Sequence, residues 1–271
     1  MSSNYFHQNS RWLCDSINAP SPYRTWNNHK FRMTLLNALW TLKVKKVDST
    51  VLRSAIGLRK YIASQFRPSA YKAIIDMFDA KDILDFSSGW GDRLSGFMAS
   101  NAESYTMVDP NKRLVEGYEK QIETFLGGDK KVTRITGMAE ETTYKDKFDL
   151  VATSPPYFNI ERYTQEDDQS FKKFRKLDSW LEGFLYKSIE NGYNSLKDGG
   201  VMAINISDVY SNHTVNKICD PMNEFIGSLP NMVYDGCYGY EMRKRPNSGA
   251  LRGRSGVFCE PLWVWRKTCT T

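Results

Sequence analysis

A short segment with several hydrogen-bond acceptors follows an apolar run near the middle of the chain. The run Phe148-Asp149-Leu150-Val151-Ala152 reads as a strand, and Thr153-Ser154-Pro155-Pro156-Tyr157-Phe158 comes directly after it. Consecutive prolines fix the backbone and carry no N–H groups, so the local carbonyls stay free to accept. The Ser154 oxygen and the Pro155 carbonyl could accept both hydrogens of an exocyclic amine, while Tyr157 stacks on the flipped planar base. Ser154, Pro155, Pro156 and Tyr157 are therefore the candidate catalytic residues.

A glycine-containing loop lies upstream, at the end of another predicted strand. It reads Asp85-Phe86-Ser87-Ser88-Gly89-Trp90-Gly91 and precedes a predicted helix. Glycines at this place allow a tight turn and a close approach of a ligand to the backbone. The dinucleotide pattern Gly-x-Gly-x-x-Gly requires a third glycine at position 94, where the chain has Leu94, so a pyrophosphate ligand is disfavoured.

Two acidic residues follow the next two predicted strands. Asp109 ends one of them, where a carboxylate can accept hydrogen bonds from ribose hydroxyls. Glu140 follows the other, in Gly137-Met138-Ala139-Glu140, where it can meet an adenine edge. Each feature alone is equally typical of a turn or a helix cap. Their order along the chain favours a cofactor that contains a nucleoside.

The elements that must position these residues are short apolar runs alternating with amphipathic segments. Strands are predicted at 82–86, 105–108, 131–135, 148–152 and 201–206, and helices at about 93–100, 111–126 and 178–196. Such alternation predicts an α/β fold with a mostly parallel sheet covered on both faces. Apolar runs at 232–234 and 262–265 predict a C-terminal antiparallel hairpin. Within this framework the Ser-Pro-Pro-Tyr segment is harder to explain as an ordinary turn.

Charge is distributed unevenly along the 271 residues, whose formal net charge is +6. Residues 1–80 hold 12 Lys and Arg against 4 Asp and Glu, and residues 241–267 hold 7 against 2. Basic regions of this kind are typical of nucleic-acid partners, although many basic proteins bind none. Apolar residues at helical spacing between 30 and 79 predict that residues 1–65 form a basic helical extension.

Several classes of protein are disfavoured by composition. The five cysteines form no Cys-x-x-Cys pair and the three histidines are far apart, so we expect no bound metal. No Cys follows a Pro, which argues against the covalent route to cytosine C5 methylation. The N-terminus has no secretory pattern and no run is long and apolar enough for a membrane span, so we expect a cytoplasmic protein without membrane contact.

Together these motifs resemble the S-adenosylmethionine-dependent DNA amino-methyltransferases, which methylate N4 of cytosine or N6 of adenine. The resemblance covers about residues 66–267 and implies a Rossmann-like class I methyltransferase domain over 66–271. It assigns Asp85, Phe86, Ser87, Gly89, Gly91, Asp109 and Glu140 to the cofactor, and the helix before the first strand adds Phe66 and Arg67. The family loop usually reads Asp-Pro-Phe-x-Gly-x-Gly, so Phe86-Ser87 and the bulky Trp90 depart from it. Ser-Pro-Pro-Tyr is more typical of cytosine N4 enzymes and Asp-Pro-Pro-Tyr of adenine enzymes.

Two polar segments are candidates for contact with the substrate. Residues 157–176 form a predicted loop that closes over the base, with Glu161 and Tyr163 nearest, or else a solvated surface loop. The segment between the last two strands carries the predicted nucleic-acid contacts Arg243, Lys244, Arg245, Arg252 and Arg254. We expect this segment at the same sheet edge as Ser154, because its preceding strand should run parallel to the strand before Ser154.

Three functions remain open at this point. The leading one is methyl transfer to the exocyclic amine of a DNA base, with N4 of cytosine favoured and N6 of adenine as the alternative. DNA is favoured over RNA as the substrate, but the same loop would serve an amine on either polymer. A catalytically silent nucleic-acid-binding subunit with this fold is the alternative of another class. The intact Ser-Pro-Pro-Tyr segment and the retained Asp109 argue against it.

Overall fold

A computed structural model describes residues 2–17, 19–41, 43–59, 62–164, 166–211, 214–242 and 259–269. Its strands are β1 (Asp15–Ser16), β2 (Asp82–Asp85), β3 (Ser104–Val108), β4 (Lys131–Ile135), β5 (Phe148–Thr153), β6 (Glu161–Arg162), β7 (Leu196–Asn205), β8 (Val209–Ser211), β9 (Thr214–Asn216), β10 (Met232–Glu241) and β11 (Cys259–Lys267).

One sheet holds seven of these strands in the order β10-β11-β7-β5-β2-β3-β4. The pairs among β7, β5, β2, β3 and β4 are parallel, whereas β11 is antiparallel to both of its neighbours. The strand order reverses between β2 and β5, which places a ligand crevice at the carboxyl ends of these two strands. This topology confirms the predicted α/β fold, a Rossmann-like and mostly parallel sheet with a C-terminal antiparallel hairpin.

The helices are α1 (Ser3–Trp12), α2 (Pro22–Asn27), α3 (His29–Thr41), α4 (Ser49–Arg59), α5 (Pro68–Met77), α6 (Asp92–Met98), α7 (Val115–Phe125), α8 (Ser170–Lys173), α9 (Leu177–Trp180), α10 (Lys187–Ser195) and α11 (Cys219–Ser228). A π-helical segment, Leu181–Tyr186, joins α9 to α10, and short 3₁₀ helices occupy Lys112–Leu114 and Ala139–Glu141.

Alternate residues of the central strands pack into two separate cores. Ile83 and Leu150 lie in the core with residues of α5, α6 and α7, whereas Leu84 and Val151 lie in the core with residues of α9 and α10. Successive side chains of a strand point to opposite faces of the sheet. Helices therefore cover both faces, as the near-continuous apolar runs of these strands require.

The segment 157–176 departs from the prediction of an irregular loop. It contains the two-residue strand β6, which pairs antiparallel with β1 from the N-terminal part of the chain, and the short helix α8. A partner more than a hundred residues away stabilises β6, so no local pattern could indicate it.

The N-terminal residues pack directly on the α/β sheet domain. The His7 imidazole lies 3.0 Å from the side-chain oxygen of Gln121 on α7, and the Ser3 hydroxyl donates to the Asp92 carboxylate on α6. Burial lowers the pKa of His7 to about 4, so this contact is made by a neutral ring. The predicted boundary between an extension at residues 1–65 and a domain at residues 66–271 stays a prediction. The contacts of α1 with α6 and α7 cross this boundary.

Candidate active site

A cleft of about 720 Å³ opens at the carboxyl edge of the parallel strands. Its size falls within the range of pockets that enclose small molecules and cofactors. It brings together ten of the predicted site residues: Phe66, Phe86, Ser87, Gly89, Asp109, Glu140, Ser154, Pro155, Pro156 and Tyr157. Asp85, Gly91 and Arg67 are not among the residues that line it.

Asp109 lies inside the cleft with both of its carboxylate oxygens oriented by backbone donors. The Gly89 N–H donates to Oδ2 and the Asn111 N–H donates to Oδ1, each at 2.9 Å. Burial raises the pKa of Asp109 to about 6, although these two backbone hydrogen bonds act in the opposite direction. A carboxylate has about four acceptor sites, so two backbone bonds leave capacity for a pair of hydroxyls.

The two loop glycines are required for different reasons. Gly89 has φ +64°, which favours glycine, and it lines the cleft beside Asp109. Gly91 also has a positive φ, but a Cβ there would lie 2.3 Å from Gln121 Oε1 and 2.7 Å from His7 Nε2. The absence of a side chain at Gly91 thus allows α1 to pack against α6 and α7.

Asp85 is fully buried and acts as a hydrogen-bonding centre behind the cleft. Its carboxylate accepts from Arg93 Nε at 2.6 Å, from the Tyr105 hydroxyl at 2.6 Å and from the Thr153 hydroxyl at 2.7 Å. These partners belong to α6, β3 and β5. The residue predicted to touch the cofactor therefore joins three elements of the site to β2.

Phe66 and Arg67 meet the C-terminal hairpin. The Phe66 ring stacks on Tyr240 with centroids 4.7 Å apart, and both residues line the cleft. The Arg67 backbone N–H donates to the Tyr240 hydroxyl at 2.9 Å, and its guanidinium lies 5.9 Å from the ring centroid. The chain before α5 and strand β10 thus close one side of the cleft.

Glu140 is held in the wall that follows β4. Its side chain is 4% exposed, and burial raises its pKa. Lys173 lies 3.4 Å from its Oε1 and also pairs with Glu141. This places an acidic edge on the side of the cleft opposite β10.

The Ser154 hydroxyl faces a buried amide. The Asn205 side chain at the end of β7 is 2% exposed, and its Nδ2 donates to the Pro261 carbonyl at 2.9 Å. Its Oδ1 therefore faces the Ser154 Oγ at 3.4 Å and the Tyr157 hydroxyl at 3.5 Å. Asn205 was not predicted, although its position as a polar residue at the carboxyl end of a parallel strand was an available signal.

Tyr157 is fixed by a second unpredicted residue. Its hydroxyl donates to Glu260 Oε2 of β11 at 3.2 Å. Burial raises the pKa of Tyr157 well above its ordinary value, and the Glu260 carboxylate raises it further. The tyrosine is therefore neutral and serves as a hydrogen-bond donor and an aromatic surface.

Residues from the N-terminal part of the chain complete the mouth of the cleft. Ser16, Ile17 and Gln65 line it, together with the predicted loop residues Glu161 and Tyr163. The Ile17 N–H donates to the Ile160 carbonyl at 2.9 Å, which continues the β1–β6 pairing. The segment after Tyr157 is thus held against the N-terminal part of the chain.

The predicted nucleic-acid contacts Arg243, Lys244, Arg245, Arg252 and Arg254 lie outside the described residues. Their flanking strands confirm one part of the prediction: β10 is antiparallel to β11, which is antiparallel to β7, so β10 runs parallel to β5. Met242, directly before this segment, and Glu260, shortly after it, both line the cleft. The described residues on either side of this segment therefore lie at the edge that carries Ser154.

Within the described part of the chain, no three His, Cys, Asp or Glu side chains are placed to hold a metal ion. None of the helices in the same residues is long and apolar enough to cross a membrane.

The cleft fits S-adenosylmethionine as a group with a ribose and an adenine. Asp109 retains acceptor capacity for two hydroxyls, and Gly89 places no side chain between its backbone and the cleft. Glu140 offers an acceptor for an amine on a ring edge. Gly89, Asp109 and Glu140 follow β2, β3 and β4, respectively, and these three strands are neighbours in the sheet.

Residues 148–248 match the model of a protein family described as DNA methylase. The match includes the Ser-Pro-Pro-Tyr segment and Asn205. It confirms the predicted resemblance to DNA amino-methyltransferases over this part of the chain. No curated protein sequence matches the chain significantly.

Solved structures match the chain at low sequence identity. An S-adenosylmethionine-dependent O-methyltransferase from Thermotoga maritima is 15% identical, with a TM-score of 0.49 over 77% of this chain and 68% of its own. TrmN from Thermus thermophilus is 14% identical, with a TM-score of 0.48 over 74% of this chain and 48% of its own. A putative RNA methyltransferase from Pyrococcus horikoshii is 13% identical, with a TM-score of 0.48 over 88% of this chain and 100% of its own.

Proposed function

Because residues 148–248 match the DNA methylase family, we propose that this protein transfers a methyl group from S-adenosylmethionine to the exocyclic amine of a DNA base, with N4 of cytosine as the preferred acceptor. The observation that carries the proposal is that the Ser154–Tyr157 segment and the cofactor residues Gly89, Asp109 and Glu140 line one cleft. Ser154, Pro155, Pro156 and Tyr157 are the proposed catalytic residues.

The exocyclic amine of a base is a weak nucleophile because its lone pair is delocalised into the ring. S-adenosylmethionine, when bound, supplies an electrophilic methyl group on a sulfonium. The Ser154 oxygen and the Pro155 carbonyl accept the two amine hydrogens and favour a pyramidal nitrogen whose lone pair points away from the ring. They also stabilise the positive charge that develops on this nitrogen, and the fixed loop holds it in line for attack.

Ser154 can accept from the amine only if its own hydrogen points elsewhere. The Asn205 Oδ1 is the acceptor for this hydrogen. The amide Nδ2 donates to the Pro261 carbonyl, and this bond turns Oδ1 toward Ser154. Tyr157 holds the base by stacking, and Glu260 fixes the ring through its hydroxyl. This arrangement supports a serine that acts as an acceptor and needs no covalent intermediate.

The preference for cytosine N4 is based on the serine in the first position of the segment. The same two acceptors would also serve N6 of adenine, or a base amine in RNA. Retention of S-adenosylmethionine by the purified protein would separate an enzyme from a silent nucleic-acid-binding subunit.

The test is mass spectrometry of nucleosides from DNA and RNA that have been incubated with the protein and isotopically labelled S-adenosylmethionine. We expect labelled N4-methylcytosine in DNA, and none with Ser154→Ala. Labelled N6-methyladenine, or label in RNA alone, would show that the proposed acceptor is wrong and that methyl transfer to a base amine is right. Cofactor binding without labelled nucleoside in any polymer would overturn the proposal.

A further inference from the structure

Beside the cleft lies a smaller groove of about 310 Å³. Two arginines, Arg24 of α2 and Arg162 of β6, line it together with Phe31 of α3. The groove therefore combines positive charge with an aromatic wall, and neither arginine was assigned to the site above.

The groove and the cleft share one rim. Ser16, Ile17 and Ala19 line both of them. This rim includes β1, whose Ser16 pairs with Glu161 and whose Asp15 pairs with Arg162. β6 follows the Ser154–Tyr157 segment by only a few residues. A nucleic-acid strand with one base in the cleft beside Ser154 can therefore pass over the rim into the groove.

Positive charge continues from the groove over the neighbouring helices. Residues 19–59 contain eight Lys and Arg and a single acidic residue. The Arg24 side chain is 61% exposed. The acidic neighbour Asp15 has both oxygens engaged, one by Arg24 at 2.9 Å and the other by the Ser21 N–H at 2.7 Å. The groove thus presents its cations to solvent and its one carboxylate to the protein.

Exposed aromatic rings accompany these cations. Trp26 at the end of α2 is 47% exposed and Trp40 of α3 is 87% exposed. The opposite side of α3 buries Leu35 and Leu39 against Ala55 of α4. A face that combines large exposed rings with lysines and arginines is suited to bases and phosphates, since aromatic stacking and charge act together on nucleic acids.

We propose that the groove and the exposed face of α2–α3 bind the nucleic-acid strand that flanks the flipped base, with Arg24 and Arg162 on its phosphates. This inference rests on the proposed function and extends it to the substrate path. It places a phosphate track on the N-terminal side of the cleft.

The test is binding of the full chain to fluorescently labelled single-stranded and duplex oligonucleotides over a salt series. The groove variant is Arg24→Gln with Arg162→Gln. The matched control is Lys120→Gln with Lys187→Gln, which removes the same charge from exposed positions on α7 and α10 that line neither cavity. We expect the groove variant to lose at least tenfold in affinity near 0.1 M salt. Its slope of log K against log salt should fall by about 0.7 to 0.9 per lost phosphate contact, unlike the control.

Two further variants separate charge from folding. Arg24→Lys with Arg162→Lys should keep most of the slope, because the charge is retained. Lys43→Gln with Lys45→Gln and Lys46→Gln, all exposed beyond α3, should reduce the slope without touching the Asp15–Arg24 pair. Equal slopes for the groove variant and the control would overturn the proposal, as would competition by polyglutamate equal to that by an unlabelled oligonucleotide.

Cofactor affinity, measured by calorimetry, distinguishes the two proposals. The groove variants should bind S-adenosylmethionine like the wild type. If the wild-type protein methylates DNA while the groove variant keeps full affinity for the oligonucleotide, the proposed phosphate track is wrong and the proposed activity stands. A wild-type protein without methylation or cofactor binding would instead remove the proposed function.

Discussion

The Thr153 hydroxyl donates a 2.7 Å hydrogen bond to the buried Asp85 carboxylate, which ties the last residue of β5 to the last residue of β2. Thr153 directly precedes Ser154, and Asp85 directly precedes the loop that carries Gly89. The same carboxylate is the partner of the buried Arg93 guanidinium on α6. The Asp85 carboxylate therefore joins the strand ends that precede the Gly89 loop and the Ser154–Tyr157 segment, and the same carboxylate is one half of a buried charge pair.

Asp85→Asn should lower the free energy of unfolding by about 3–5 kcal/mol, because it leaves the buried Arg93 charge without its partner. Thr153→Val is the control, since it removes only the hydroxyl and should cost about 1 kcal/mol. Urea unfolding measures both values. An Asp85→Asn variant that is no less stable than Thr153→Val would show that the Asp85–Arg93 ion pair contributes no more to stability than the Thr153 hydroxyl.

Tyr157→Ala should strongly reduce methyl transfer and leave S-adenosylmethionine affinity unchanged. The ring is proposed to stack on the base, and such stacking contributes about 1–3 kcal/mol per base. Tyr157→Phe keeps the ring and loses only the hydroxyl with its contacts to Glu260 and Asn205, so it should retain most of the base affinity. Calorimetry of the cofactor beside oligonucleotide binding decides the assignment: loss of the cofactor alone would place Tyr157 in the other half of the cleft.

Asp109→Ala should weaken S-adenosylmethionine binding more than tenfold. Hydrogen bonds to a charged acceptor contribute about 1.5–3 kcal/mol each, and a ribose would lose two. Burial holds the Asp109 pKa at about 6, so wild-type affinity should fall as the pH is lowered through 6 and the carboxylate is protonated. Asp109→Asn carries no titrating group here and should lack this share of the pH dependence. Unchanged affinity in a folded Asp109→Ala protein would contradict the ribose assignment.

Asn205→Leu should lower kcat, because the Ser154 hydrogen loses the acceptor that turns it away from the substrate amine. The KM for the oligonucleotide and the affinity for S-adenosylmethionine should change little. In a Ser154→Ala background, Asn205→Leu should have little further effect, since both act through the same oxygen. Additive losses of kcat in this double-mutant cycle would instead indicate that Asn205 supports only the general packing of β7.

Asp92 should contribute a pH dependence of stability. This carboxylate is 2% exposed, and burial raises its pKa from 3.8 to about 6, although the Ser3 hydroxyl donates to it. Between about pH 4 and 6 the folded protein keeps a proton that the unfolded chain has lost, so stability falls as the pH rises through this window. Asp92→Asn should remove up to about 3 kcal/mol of this fall, because each pKa unit corresponds to about 1.36 kcal/mol. Urea unfolding from pH 4 to 7.5 tests it, and equal pH slopes in both proteins would refute it.

Local patterns were sufficient for the central sheet and for the two loops at its edge. The strands β2, β3, β4 and β5 lie within one residue of their predicted bounds. For β2, β3 and β5 the reason is an apolar run that the parallel sheet buries, whereas β4 is an edge strand with exposed and half-buried residues. The Ser154–Tyr157 segment was recognisable because prolines and a serine at a strand end have a fixed hydrogen-bonding chemistry that needs no tertiary partner to define it.

The roles of individual loop residues depended on contacts that no local pattern shows. Gly91 was expected beside the cofactor, yet its missing Cβ makes room for His7, which lies 84 positions earlier in the chain. Asp85 was expected to touch the ligand, yet its oxygens are taken by Arg93, Tyr105 and Thr153. Which of several acidic or small residues faces a ligand depends on which of them are already in contact with side chains from elsewhere in the fold.

The amino-acid sequence by itself determined the sheet, the order of its motifs and the acceptor chemistry of Ser154 and Pro155, because these follow from residue types and short-range periodicity. Only the tertiary structure decided that Asn205 and Glu260 orient Ser154 and Tyr157 and that β1 pairs with β6 beside the cleft. These contacts join residues 51, 103 and more than 140 positions apart. Their formation depends on the folded sheet, which brings distant strand ends to one edge after the local elements have formed.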